Sequence, residues 1–143
     1  MKRKNLILYS CFILLFINSC KKQTATSGVP LVAVNLNLYI NNPSYIKLNA
    51  IGGWQYIAGG ARGILLYRSS SSDFMAYDRN CTYQPTNPCA IVSVDNTNII
   101  VRDSTCCSSQ FSIVDGSVIH GPATFPLKAY NTSFDGNILH IYN

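Results

Sequence analysis

Glutamate is absent from this chain of 143 residues: all six acidic residues are aspartate, at Asp73, Asp78, Asp95, Asp103, Asp115 and Asp135. The best acidic helix former is therefore missing, which weighs against a helical bundle and favours a β-rich domain. Charge of either sign is scarce at 12% of residues, and there are only 2 histidines. No Gly-rich phosphate loop, H-E-x-x-H or G-x-S-x-G motif occurs, and no glutamate is available as a general acid. The sequence thus points away from an enzyme. The formal net charge of +5 does not mark a nucleic-acid partner either. Lys2, Arg3, Lys4, Lys21 and Lys22 all lie in the first 22 residues, and beyond them 6 basic residues balance 6 aspartates. What remains is a neutral body, long enough for one domain, that holds four of the chain's six cysteines.

The one long apolar run, Leu6 to Ile17, has 12 residues. A bilayer span needs about 20. With the basic start before it, the run fits the core of a signal peptide. Ile17-Asn18-Ser19-Cys20 follows and resembles the lipobox of bacterial lipoproteins. That resemblance implies cleavage after residue 19, lipid attachment at Cys20 and anchoring in the cell envelope, with the outer membrane, facing the periplasm or the surface, as the expected location. Only a thiolate is nucleophilic enough near neutral pH to take the lipid as a thioether. Residues 20–30, polar and rich in Ser, Thr, Gly and Pro, read as a flexible tether.

From residue 31 to 143 the apolar pattern has period two. Val32, Val34, Leu36, Leu38 and Ile40 alternate with Ala33, Asn35, Asn37 and Tyr39, and Asn41-Asn42-Pro43 breaks the strand. Strand-like runs recur at Ile64–Arg68, Phe74–Asp78, Ala90–Val94, Ile99–Val101, Phe111–Ile113, Ser117–Ile119, Lys128–Tyr130 and Ile138–Tyr142. Turn signals separate them: Gly59-Gly60, Ser69–Ser72, Asp95-Asn96, Asp115-Gly116 and Asp135-Gly136. About nine short strands make an all-β antiparallel sandwich or barrel. Ile46–Tyr56 stays ambiguous because Gly52-Gly53 interrupts it, and Trp54 and Tyr56 read as core or edge packing.

Phe74 to Tyr83 (FMAYDRNCTY), Cys106-Cys107-Ser108-Ser109-Gln110-Phe111, Asp115-Gly116, Gly121 to Leu127 (GPATFPL) and the Gly136–Ile141 run together resemble a Rieske iron–sulfur domain from about Ile51 onward. That family carries a C-x-H first loop, a C-x-x-H second loop and a Gly-Pro loop over a 2Fe–2S centre. The resemblance implies a Rieske-like sandwich with a loop-rich, cluster-binding-type subdomain at 81–127. Its ligand positions fall on Cys81, Tyr83, Ser104 and Cys107, where two thiolates and two imidazoles are needed. Only Cys81 is retained. His120 and His140 lie before the Gly-Pro loop and in the last strand, and read as surface or edge histidines.

With Cys11 in the signal peptide and Cys20 lipidated, Cys81, Cys89, Cys106 and Cys107 allow three complete pairings. The resemblance implies Cys89–Cys106, clamping the two loops, which leaves Cys81–Cys107 to close as a second bridge across the cavity. A four-cysteine zinc site is disfavoured because adjacent Cys106 and Cys107 do not readily aim both sulfurs at one metal. Thiol redox chemistry has only Arg79 and Arg102 nearby to lower a thiol pKa. Asp78 and Asp103, flanking the loops, read as caps or turn formers. Asp103-Ser104-Thr105 resembles a short bacterial O-glycosylation signal. The expectation is a lipid-anchored Rieske-like module without cluster, metal or nucleic acid, serving binding or structure for a protein or small-molecule partner. The alternative is an electron-transfer protein with a retained or altered 2Fe–2S cluster.

Overall fold

The computed structural model describes residues 27–143, so the signal-peptide reading, Cys20 and most of the tether lie outside the described residues. The fold is all-β and antiparallel, with one sheet forming a half-barrel. The strands are β1 (Asn35–Tyr39), β2 (Trp54–Ile57), β3 (Ile64–Arg68), β4 (Phe74–Asp78), β5 (Ser93–Val94), β6 (Ile100–Arg102), β7 (Gln110–Ser112), β8 (Val118–His120), β9 (Ala129–Phe134) and β10 (Ile138–Tyr142). They form a six-stranded sheet in the order β1-β10-β9-β4-β3-β2 and a four-stranded sheet in the order β5-β6-β7-β8. Among the described residues no helix is long and apolar enough to cross a membrane.

Period two decides which side chains enter which core. Along β3, Ile64 and Leu66 face one core with Phe74, Ala76, Leu139 and Ile141. Leu65 faces a second core with Tyr77, Val101, Phe111 and Ile113. Because β3 and β4 are covered on both faces, they read as near-continuous apolar runs, as doubly buried strands do. The second core lies beneath the four-stranded sheet and its loops, which form the tip of the molecule.

The expected hairpin turns are in place, and three aspartates explain why. Asp95 accepts from the Thr97 N–H at 2.9 Å, Asp115 from Ser117 at 3.1 Å, and Asp135 from Asn137 at 2.9 Å. Each carboxylate thereby holds the backbone two residues on in an Asx turn. At Gly116 the backbone sits at φ +72°, and an added Cβ would lie 2.8 Å from the Tyr77 ring. Only glycine serves both the conformation and the close approach.

Several boundaries differ from expectation: the strand expected over Ala90–Val94 is confined to Ser93–Val94, and the one expected over Lys128–Tyr130 runs from Ala129 to Phe134. The ambiguous Ile46–Tyr56 piece resolves into a 3-10 helix, Pro43–Leu48, and then β2 at the sheet edge. The first strand begins at Asn35 instead of Val32, and Val32 is exposed. The described end of the tether is not free of the domain: Val29 is buried, and the Pro30 carbonyl accepts from Lys128 Nζ at 2.9 Å.

Candidate functional site: the three-loop tip

Three loops converge at the tip. The first leaves β4 and turns back through Ala90, whose carbonyl accepts the Cys81 N–H at 2.9 Å. The second, between β6 and β7, closes on itself at both ends of the backbone. Asp103 N–H donates to the Ser109 carbonyl at 3.0 Å, and Ser108 N–H to the Asp103 carbonyl at 2.7 Å. The third follows β8 and is tied to the other two. Ala123 N–H donates to Ser109 Oγ at 3.0 Å, and the Thr82 hydroxyl donates to the Phe125 carbonyl at 2.6 Å.

The first two loops are also joined covalently. Cys89 and Cys106 form a disulfide with Cα atoms 5.5 Å apart, a spacing in the ordinary range for a bridged pair. This is the pairing that the Rieske resemblance implies. The second expected bridge is not formed in the structure. Cys81 and Cys107 are free thiols with sulfurs 3.6 Å apart, whereas a disulfide brings them to about 2.05 Å.

The four cluster-ligand-equivalent positions are not equivalent in space. Cys81 is fully buried and Cys107 half-buried. Tyr83 is half-buried against the tip core, but Ser104 faces solvent on the second turn. His120 is exposed, and His140 meets Asn35 Oδ1 at 2.8 Å in the sheet, far from the loops in sequence. A Rieske centre needs two separate donor pairs, one of thiolates and one of imidazoles. The residues present do not fit it: the two thiols touch each other, and neither Tyr83 nor Ser104 offers a thiolate or an imidazole.

Asp103 is the residue that sequence reading underrated. Its turn-forming role is real, since Oδ1 accepts the Cys106 N–H at 2.9 Å. Its other oxygen, Oδ2, lies 3.4 Å from Cys107 Sγ. The carboxylate is fully buried, so Asp103-Ser104-Thr105 exposes only its last two residues. Cys81 Sγ, Cys107 Sγ and an Asp103 oxygen all lie within 4.8 Å of one another. Ser109, also buried and also missed, places its hydroxyl 3.0 Å from Cys107 Sγ. The available signal was the placement of Asp103 four residues before Cys107 in a short loop.

Burial above all pushes the Cys81 thiol pKa well up, and the side chains of Asp103 and Cys107 add to the rise while the Tyr83 backbone N–H opposes it. A thiol so held stays protonated at neutral pH and is a poor nucleophile. Cys106, the other member of the vicinal pair, is locked in the disulfide. Thiol-exchange chemistry therefore has little support here. No family model matches the chain, and a search of curated proteins finds no match.

Proposed function

We propose that this chain is a lipid-anchored lipoprotein of the bacterial cell envelope, whose Rieske-like domain acts as a binding or structural module without a 2Fe–2S cluster. The observation that carries this reading is the pairing at the tip. A disulfide clamps the first two loops, while the positions where the family places imidazoles hold Tyr83 and Cys107. A structural disulfide suits an oxidising compartment outside the cytosol, the side to which a lipobox delivers a chain. The partner would be a protein or small molecule met at the membrane surface, with the lipid on Cys20 holding the domain there. The neutral body offers no basic stripe for nucleic acid.

The test is isolation of the full chain in detergent under anaerobic conditions. The expected protein is colourless, contains no iron, begins at Cys20 and carries the lipid mass there; Cys20→Ser leaves the membrane fraction. Stoichiometric iron with visible charge-transfer absorbance would establish the electron-transfer alternative, and an unmodified Cys20 would remove the anchor.

A further inference from the structure

The carboxyl group of Asp103 is fully buried, and among the described residues no cationic side chain pairs with it. Its hydrogen-bonding neighbours among the described residues are the Cys106 N–H and the thiols of Cys107 and Cys81. The single salt bridge among the described residues joins Arg102 to Asp95 at 3.7 Å and does not involve Asp103. A carboxylate taken out of water needs a counter-charge or a full set of strong donors. One amide and two weakly donating thiols fall short of that.

The two thiols beside it have the spacing of ligands to one metal. Zinc binds thiolate sulfur at about 2.3 Å and carboxylate oxygen at about 2.0 Å, so a tetrahedral site has S···S edges of about 3.8 Å and S···O edges of about 3.5 Å. The Cys81–Cys107 sulfurs are 3.6 Å apart, and Cys107 Sγ is 3.4 Å from Asp103 Oδ2. Two iron centres do not fit between sulfurs so close, whereas both printed edges match those of one tetrahedral ion.

We propose that Cys81, Cys107 and Asp103 form a mononuclear zinc site at the tip. Two thiolates and a carboxylate suit a borderline-soft divalent ion better than magnesium or calcium, which take oxygen ligands. Binding is written in balance: one Zn²⁺ displaces the protons of two thiols to solvent and joins one carboxylate, leaving the fourth position to water or an outside ligand. That position opens on the side of Cys107, the one half-buried donor of the three. The outer contacts are already placed. Cys106 N–H orients Asp103 Oδ1, and the Ser109 hydroxyl lies beside Cys107 Sγ, the kind of support that tunes a metal ligand. The four-cysteine arrangement considered from sequence fails because Cys106 faces Cys89; Asp103 takes the place of the missing sulfur. The site requires neither the lipid anchor nor a partner.

The experiment uses the full chain in detergent, isolated anaerobically without reductant so that Cys89–Cys106 stays closed, and Co²⁺ as the probe. The expected result is one Co²⁺ per chain with a cobalt–thiolate charge-transfer band, displaced by one equivalent of Zn²⁺, with two protons released per metal and both thiols shielded from alkylation. Cys107→Ser should abolish the band, and Asp103→Asn should weaken binding about tenfold or more while keeping it. Near-ultraviolet circular dichroism checks that each variant folds. The proton count and thiol shielding in the unaltered chain decide the matter if Cys107→Ser does not. No band, a band undiminished by Cys107→Ser in the folded variant, or a chain isolated with no free thiol overturns the site. Iron content, which tests the cluster-free reading, is measured separately, so either proposal fails alone.

Discussion

Tyr130 donates its hydroxyl to Asp78 Oδ2 at 2.7 Å, across 52 residues of chain and inside the protein. Asp78 also accepts the backbone N–H groups of Ala61 at 2.6 Å, Arg62 at 3.2 Å and Asn80 at 2.9 Å. The carboxylate thus pins the β2–β3 turn, the start of the first tip loop and β9 at one point. Burial first, and the bond to Asp78 second, raise the Tyr130 pKa, so the phenol remains a donor at neutral pH.

Removing that hub should be costly in a graded way. Tyr130→Phe loses one bond to a charged acceptor, worth about 2 kcal/mol, whereas Asp78→Ala strands several buried donors and should cost about 3–5 kcal/mol. Gly60→Ala should also destabilise, because a Cβ at φ +62° would lie 2.6 Å from both Asp78 Oδ2 and Tyr130 Oη. Urea midpoints at constant m-value provide the measurement. An unchanged midpoint for Asp78→Ala would remove the hub from the account.

The Cys89–Cys106 bridge spans 17 residues of sequence. Loop-closure entropy for that length is worth about 3 kcal/mol. Replacing both cysteines with serine should lower stability by roughly that amount, and amide exchange should rise in β5–β8 before it rises in β1 and β10. Uniform loss of protection across both sheets would show that the bridge does not act on the tip.

Leu65 and Leu66 are adjacent and both fully buried, but in different cores. Each Leu→Ala change should cost about 2–5 kcal/mol, the range for a core leucine. The damage should separate: Leu65→Ala loosens the amides of β6 and β7, and Leu66→Ala those of β9 and β10. Identical exchange maps for the two variants would contradict a two-core architecture.

Asp115 and Asp135 are exposed and Asp95 is half-buried, and each has a carboxyl pKa held below the usual value by hydrogen bonds: first from Thr97 for Asp95, from Ser117 for Asp115, and from the Ile138 backbone for Asp135. A carboxyl with a depressed folded-state pKa contributes stability that is complete above its unfolded pKa and fades as pH falls through the folded one. Thermal midpoints should therefore fall on acidification, starting in the ordinary aspartate range, where the unfolded chain takes up protons, and continuing below it. Asp135→Asn should flatten part of that acid limb; an unaltered limb would show that the turn contributes nothing to it.

Much of the architecture was legible in the chain because its signals are local. The alternation before Ile40 and the Asp-Gly and Asp-Asn pairs marked strands and hairpins, and the structure keeps nearly all of them. β2 was not legible: Gly52-Gly53 broke the pattern, and Trp54–Ile57 is an edge strand whose four residues are all half-buried, so no alternation advertises it. At the tip, a resemblance in sequence pointed to Cys89–Cys106 and to a shared cavity for Cys81 and Cys107. Asp103 read as a turn former, which it is, and nothing in sequence spacing said that its second oxygen would be buried beside a thiol.

By itself, then, the sequence determined an all-β chain with a short apolar N-terminal run, a neutral body and cysteines gathered in two loops, because composition, period and turn chemistry act over a few residues. Only the tertiary structure decided which sulfurs bond, which merely touch, and that a carboxylate joins them. Those outcomes depend on distances of a few ångströms between loops held by Ser109, Thr82 and the disulfide, and such distances are set by packing across the whole tip.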